Sequence, residues 1–326
     1  MTRVVLSLFI MLACAFGAAT PAHAQVCTAT ISSVNFGAIA PATTSAATVS
    51  GSITVTCAGF VLGLPVRACL NIGTGSGGTT YAPRLATNGA RTLQYNLYAD
   101  AAGSTLLGSR RSGSYGALAV DIPLTLALGV ASGTRTVPFY GRVPVGQTSL
   151  VAGTYTSTFS GTAQAEMDYD QYLLVAPDCS TLSAHPTALS FAVNATVVND
   201  CTISATNIDF GAAGLLTNAL TATGTLSVAC TNQGAYSIAL SQGTGSGATV
   251  ADRRMTRSGG GEQVRYQLYQ NAAYTIPWGD GTGGTATVAG TGTRSSQAIT
   301  VYGRVIPQAT PTAGTYADTV TATITY

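Results

Sequence analysis

The chain has 326 residues, room for two ordinary domains, and only 8% of them are charged against a soluble-protein norm of about 25%. A net charge of +2 provides no basic field to neutralise phosphates, which excludes nucleic acid as a partner, and 46% hydrophobic residues exclude a disordered chain. All 14 cations are Arg, and the two His, His23 and His185, are too few for a His-based metal site or a Ser-His-Asp triad, so the chain is read as a non-enzyme with no catalytic residue, metal or cofactor.

Residues 1–24 have the pattern of an export signal. Arg3 gives the charged start, Val4 to Ala19 the apolar stretch, and Ala22-His23-Ala24 an A-x-A cleavage site before Gln25. A membrane anchor is the weaker reading, because Gly17, Thr20 and Pro21 break the run short of a comfortable span. Cleavage removes Cys14 and leaves Cys27, Cys57, Cys69, Cys179, Cys201 and Cys230, an even set in an exported chain and therefore a disulfide framework.

Self-comparison organises the rest. Cys27 precedes Val34-Asn35-Phe36-Gly37 as Cys201 precedes Ile208-Asp209-Phe210-Gly211. Gly51–Cys57 matches Gly224–Cys230, Gly73–Gly77 matches Gly243–Gly247, and Leu93–Tyr98 matches Val264–Tyr269. Tyr140-Gly141-Arg142-Val143 matches Tyr302-Gly303-Arg304-Val305, and Ala152–Tyr155 matches Ala313–Tyr316. The chain is a tandem duplication. Matched cysteines then pair within each copy, Cys27 with Cys57 and Cys201 with Cys230, leaving Cys69 and Cys179 for a third bridge. Alternation at Ser52–Thr56, Leu226–Val228 and Thr319–Thr325, with Gly, Asn and Pro between, predicts an all-β chain of two immunoglobulin-like sandwiches with some seven short strands per copy.

The Cys-x8-Phe-Gly starts, Tyr95–Tyr98 and Tyr266–Tyr269, Trp278-Gly279-Asp280-Gly281-Thr282-Gly283, and the Tyr-Gly-Arg-Val and Ala-Gly-Thr-Tyr pairs resemble the spore coat protein U family, which includes the Csu-type pilins of archaic chaperone–usher fibres. The resemblance spans nearly all of 25–326 and is strongest over 189–326. It implies a pilin-type sandwich that lacks its final strand and takes one from a neighbour's amino-terminal extension. A periplasmic chaperone fills the gap before assembly, an outer-membrane usher mediates export, and the product is an extracellular or fimbrial protein of attachment and biofilm.

Such a donor strand needs alternating apolar residues. Leu189, Phe191, Val193, Ala195 and Val197 supply them over a length of roughly 30 Å. The competing reading is an ordinary strand of the second copy. On the first reading the domains are 25–180 (tip or adhesion), 181–200 (linker and donor strand) and 201–326 (pilin). Only Gln25 and Val26 precede Cys27, so the first copy can accept a strand but not give one, and its natural donor is 189–197 of its own chain. The second copy's groove then awaits a strand from a neighbouring subunit, which makes the chain a tip subunit.

The first copy differs from the second in apolar runs that fit exposed loops pinned by Cys69–Cys179. Phe60, Val61, Leu62 and Leu64 lie in one run, Leu118 and Val120 in another, and Leu173 and Leu174 in a third. Apolar loops that lose water on meeting an abiotic or host surface would make a contact patch; 118–128 also alternates like a buried strand. The rival functions are a secreted coat or matrix protein and a carbohydrate-binding lectin using Tyr115, Tyr169 and Tyr172. Glu166, Asp168 and Asp170 are read as a solvated strand end rather than a Ca²⁺ site, and Arg110-Arg111 and Arg253-Arg254 as exposed charges. Gly73–Gly78 spells G-x-G-x-x-G without the βαβ unit that a dinucleotide site needs. Asn194-Ala195-Thr196 is a glycosylation sequon by letter only.

Overall fold

Thr and Val at alternate positions favour extended chain, because β-branched side chains pack well on a pleated surface. The computed structural model describes residues 25–41 and 46–326, and the export segment lies outside them. The described residues form strands, turns and loops and include no helix.

The first unit contains β1 (Val26–Ile31), β2 (Val34–Ile39), β3 (Ala47–Phe60), β4 (Val66–Ile72), β5 (Arg84–Asn88), β6 (Arg91–Tyr98), β7 (Leu118–Ile122), β8 (Thr125–Ala127), β9 (Val130–Val143), β10 (Gly153–Ser160), β11 (Ala165–Gln171), β12 (Thr187–Ala188) and β13 (Ser190–Val197). The second contains β14 (Cys201–Ala205), β15 (Leu220–Cys230), β16 (Ala235–Leu240), β17 (Arg253–Arg257), β18 (Gln263–Tyr269), β19 (Val288–Thr291), β20 (Gln297–Val305), β21 (Tyr316–Ala317) and β22 (Ala322–Thr325). The strands are therefore more numerous than seven per copy, because several break where the chain changes sheet. Thr319–Thr325 in particular is not one strand, since 318–321 has no ladder partner and pairing resumes at β22.

Each unit is a two-sheet sandwich with its own hydrophobic core. The long sheet of unit two runs β14-β15-β20-β18-β17-β21, and the same path in unit one is β1-β3-β9-β6-β5-β10. Unit one then continues with β13 and β2, whereas unit two stops at β21. The short sheets repeat this difference: β11-β4-β7 matches β22-β16-β19, with β12 added to β11 in unit one only.

The Cys27–Cys57, Cys69–Cys179 and Cys201–Cys230 disulfides are all present. The first and third join directly opposed residues of β1–β3 and β14–β15.

Several charged residues lie where composition did not suggest. Arg84 and Arg253 are fully buried and donate to backbone carbonyls rather than to carboxylates. Arg84 Nε reaches Gly73 O at 2.8 Å and Nη2 reaches Leu107 O at 2.6 Å; Arg253 Nε reaches Ser241 O at 2.9 Å and Nη2 reaches Trp278 O at 2.9 Å. Each guanidinium thus closes three loops of its unit onto one point, and burial pulls that of Arg84 down to about 10. Arg253 is consequently not an exposed charge. The Gly73–Gly78 run serves this packing, as Gly73 O is an Arg84 acceptor and a Cβ at Gly77 would collide with Leu85 O.

Glu166 and Asp168 are likewise buried on β11 rather than solvated; only Asp170 faces water. Arg110 Nη2 and Arg111 Nη2 each lie 2.5 Å from a Glu166 oxygen, Arg110 Nη1 pairs with Asp168, and Asn71 Nδ2 donates to Asp168 at 2.8 Å. The two cations are therefore partners of buried acids, because the 109–116 turn folds back over β4 and β11. Glu166→Ala, which takes one carboxylate partner from each cation while Asp168 still holds Arg110 and Thr162 O still accepts from Arg111, is expected to cost unit one ~1.5–3 kcal/mol. Chemical denaturation of the full chain reads it, and a loss under ~1 kcal/mol would mean that solvent compensates the cations.

Candidate functional site

Two features of unit one have no counterpart in unit two: an added strand and a set of apolar loop tips.

β13 lies between β10 and β2, antiparallel to the first and parallel to the second. Its alternation works as the period-two pattern requires: Leu189, Phe191, Val193, Ala195 and Val197 are all buried in the unit-one core. Phe191 faces Phe159 with ring centroids 4.3 Å apart, Val193 faces the buried Ser157, and Ala195 faces Tyr155. Asn194 is held in the sheet, accepting from Thr156 Oγ1 at 3.0 Å, which leaves the sequon inside a ladder.

In unit two the corresponding edge is bare among the described residues. Tyr155, Ser157 and Phe159 are buried, but Tyr316, Asp318 and Val320 at the matched positions are only half-buried. Residues 34–39 form β2 because β13 pairs with them, whereas the matching 208–213 run forms no strand. Ile208, Phe210, Val320 and Ile324 line this open seam, packed against the core but not covered.

The loop tips gather at one end of unit one. The β3–β4 loop exposes Val61 and Leu62, the β8–β9 hairpin Leu126 and Leu128, and the segment after β11 Leu173, Leu174 and Val175. Leu128 is 106% exposed, Leu174 88% and Val61 63%, values that no core-packing role explains. A methyl group on Gly63 would touch Leu126 Cβ at 3.7 Å, which sets the first two loops side by side. Gln171 Nε2 donates to Leu62 O at 3.2 Å and Leu64 O at 3.3 Å, and Tyr172 N donates to Pro65 O at 3.1 Å, which joins the third.

Arg67 on β4 fixes the group. Its Nε and Nη2 grip the two oxygens of Asp121 on β7 at 2.6 and 2.9 Å, and Nη1 reaches Pro177 O at 3.4 Å. The hydrogen bond from Arg67 holds the Asp121 carboxyl below its ordinary range. Cys69–Cys179 ties the far end of the third loop to the same strand.

Of the surface candidates, Val61, Leu62, Leu173 and Leu174 are exposed, and Leu64 is half-buried. Phe60 and Val120 are not surface residues: Phe60 turns into the core after the register shift that follows Cys57, and Val120 points inward from β7. Leu118, on the same face of β7, is half-buried against that core. Tyr169 is buried and stacked on His185 with centroids 4.9 Å apart, so it offers no free face to a sugar. Among the described residues, no group of three or more His, Cys, Asp or Glu has a metal-binding arrangement.

Leu126, Leu128 and Val175 lie in the same apolar runs of the sequence but are not among the contact candidates singled out there. Leu128 and Gly129 have φ of 52° and 81° and form the two-residue turn of the β8–β9 hairpin, where Asn-Gly is the favoured pair. A Leu in that conformation runs against local preference, which is the signal that could have singled it out.

Comparison with known proteins agrees with this architecture. Protein U of Myxococcus xanthus is 38% identical over 108 residues, covering 32% of this chain and 59% of that protein, so the chain spans about three fifths of the relative it matches. The solved chaperone–tip adhesion subunit pre-assembly complex of the archaic chaperone–usher Csu pili of Acinetobacter baumannii shares the fold at 16% identity and a TM-score of 0.52, over 92% of this chain and 100% of that one. The Spore Coat Protein U domain model matches residues 11–162 and 187–323, nearly the whole of both repeats, and the chain belongs to that family.

Proposed function

We propose that this chain is an exported subunit of a chaperone–usher pilus that assembles by strand donation, stands at the fibre tip and attaches the fibre to abiotic or host surfaces. The observation that carries the reading is the contrast between the units: β13 completes unit one from within the chain, while the equivalent seam of unit two is uncovered. A strand already engaged in its own chain is not available to a neighbour, so the chain accepts at unit two and presents unit one outward.

The exposed leucines and valines at the end of unit one support attachment without a pocket, since apolar tips release water against any hydrophobic surface. The resemblance to a chaperone–tip subunit complex supports a periplasmic chaperone that covers the unit-two seam until an usher and a neighbouring pilin replace it. The role is one of assembly and adhesion, with biofilm formation as its outcome and no catalytic step. A second reading, a secreted coat protein, draws on the match to the Spore Coat Protein U domain and shares the same seam.

Immunogold labelling of intact cells with antibody to unit one tests both. Gold at single fibre ends is expected; gold along the shaft refutes the tip position, and an even layer over the cell without fibres favours the coat.

A further inference from the structure

The seam of unit two is not a copy of the filled groove in unit one. At the centre of the groove, beneath Val193, unit one has Ser157; the matched position in unit two is Asp318. Asp318 sits half-buried on the inner face of the edge, in a fixed orientation. Its Oδ1 accepts from Thr244 N at 2.6 Å, Thr244 Oγ1 at 2.9 Å and Thr319 N at 2.8 Å, and its Oδ2 accepts from Tyr266 Oη at 2.7 Å. Gly243, at φ 88°, leaves the room the carboxylate occupies, since a Cβ there would collide with Oδ2.

A strand laid along this edge as β13 lies along β10 would place one inward side chain over Asp318. An aliphatic residue there would remove water from an ionised carboxylate and leave a lone pair of Oδ2 unmatched, a costly arrangement in a core. A cation is also poorly placed, because the buried Arg253 guanidinium already provides a positive charge whose field reaches Asp318. A short neutral donor meets the geometry: opposed Cβ atoms in an antiparallel pair are about 5 Å apart, within reach of a single hydroxyl.

We propose that unit two selects a donor strand carrying Ser or Thr at the position facing Asp318, within an otherwise alternating apolar segment. This rests on the strand-acceptance reading above and adds the chemistry of the strand. The chain's own segment has Val193 at that level, so a second copy's 189–197 is a mismatched donor for unit two.

The test uses the full chain and two dye-labelled peptides, residues 187–198 as they stand and with Val193→Thr, read by fluorescence anisotropy. The Val193→Thr peptide is expected to bind about tenfold more tightly. Against an Asp318→Ser chain, which restores the residue found in unit one, that preference is expected to vanish or invert. Equal binding of the two peptides to the unaltered chain, or an unchanged preference in the Asp318→Ser chain, overturns the proposal. Failure of both peptides to bind either chain overturns strand acceptance itself and the proposal with it.

Discussion

Deleting residues 189–197 is expected to unfold unit one and leave the unfolding transition of unit two in place. Burying a Leu, Phe or Val side chain is worth ~1.5–3 kcal/mol, and the deletion removes four such residues together with Ala195. The loss, roughly 6–12 kcal/mol, is comparable with the ~5–15 kcal/mol by which a domain is ordinarily stable. The seam left between β10 and β2 would expose Phe159 and unpair both edges. Phe191→Ala, which keeps the backbone ladder and removes the ring stacked on Phe159, is expected to cost ~3–5 kcal/mol. Calorimetry of the deleted chain should show the unit-one transition return when a peptide of residues 187–198 is added. A deleted chain whose two transitions are both unchanged would show that β13 is not needed for the unit.

Replacing Leu128 by Asn is expected to weaken attachment roughly tenfold without loss of stability, the two effects having separate causes. A Leu that loses its water on a hydrophobic surface contributes ~1.5–3 kcal/mol, and at 106% exposure Leu128 has all of that to give. The same residue is disfavoured in a turn whose φ is 52°, where Asn is readily accommodated, so the folded state gains a few tenths of a kcal/mol or more. Binding to polystyrene beads and thermal melting of the same protein measure both. Adding Leu174→Ser should deepen the loss of attachment, since that side chain projects from the neighbouring loop and is 88% exposed. If the double variant binds beads as well as the unaltered chain, the loop tips are not the contact surface.

Much of the fold was legible because it is written in repetition and period. Two Cys-x8-Phe-Gly starts gave the duplication, and strict alternation from Leu189 to Val197 marked a strand with one buried face. The charged residues were not legible. Arg84 and Arg253 are held by carbonyls that come together only when distant loops close, and no carboxylate spacing announces such a partner. Glu166 and Asp168 looked like a solvated strand end because their partners, Arg110 and Arg111, lie more than fifty residues earlier. At the loop tips the difficulty was of another kind. Val120 and Leu126 sit in one apolar run, and a turn of strand direction after Ile122 decides that the first is buried and the second exposed.

β13 also sets how the molecule would bear load. Its last residue, Val197, is followed within a few residues by Cys201, where β14 begins unit two. Tension applied along β13 is resisted by the eight residue pairs it makes with β10 together with those it makes with β2. A ladder strained along its length must break many hydrogen bonds at once, whereas one peeled from its end breaks them singly. On the far side, the Cys201–Cys230 bond passes the force straight across β14 to β15. At the fibre tip proposed above, the strand that closes the core of unit one would in this way also be the tether by which unit two holds it under flow.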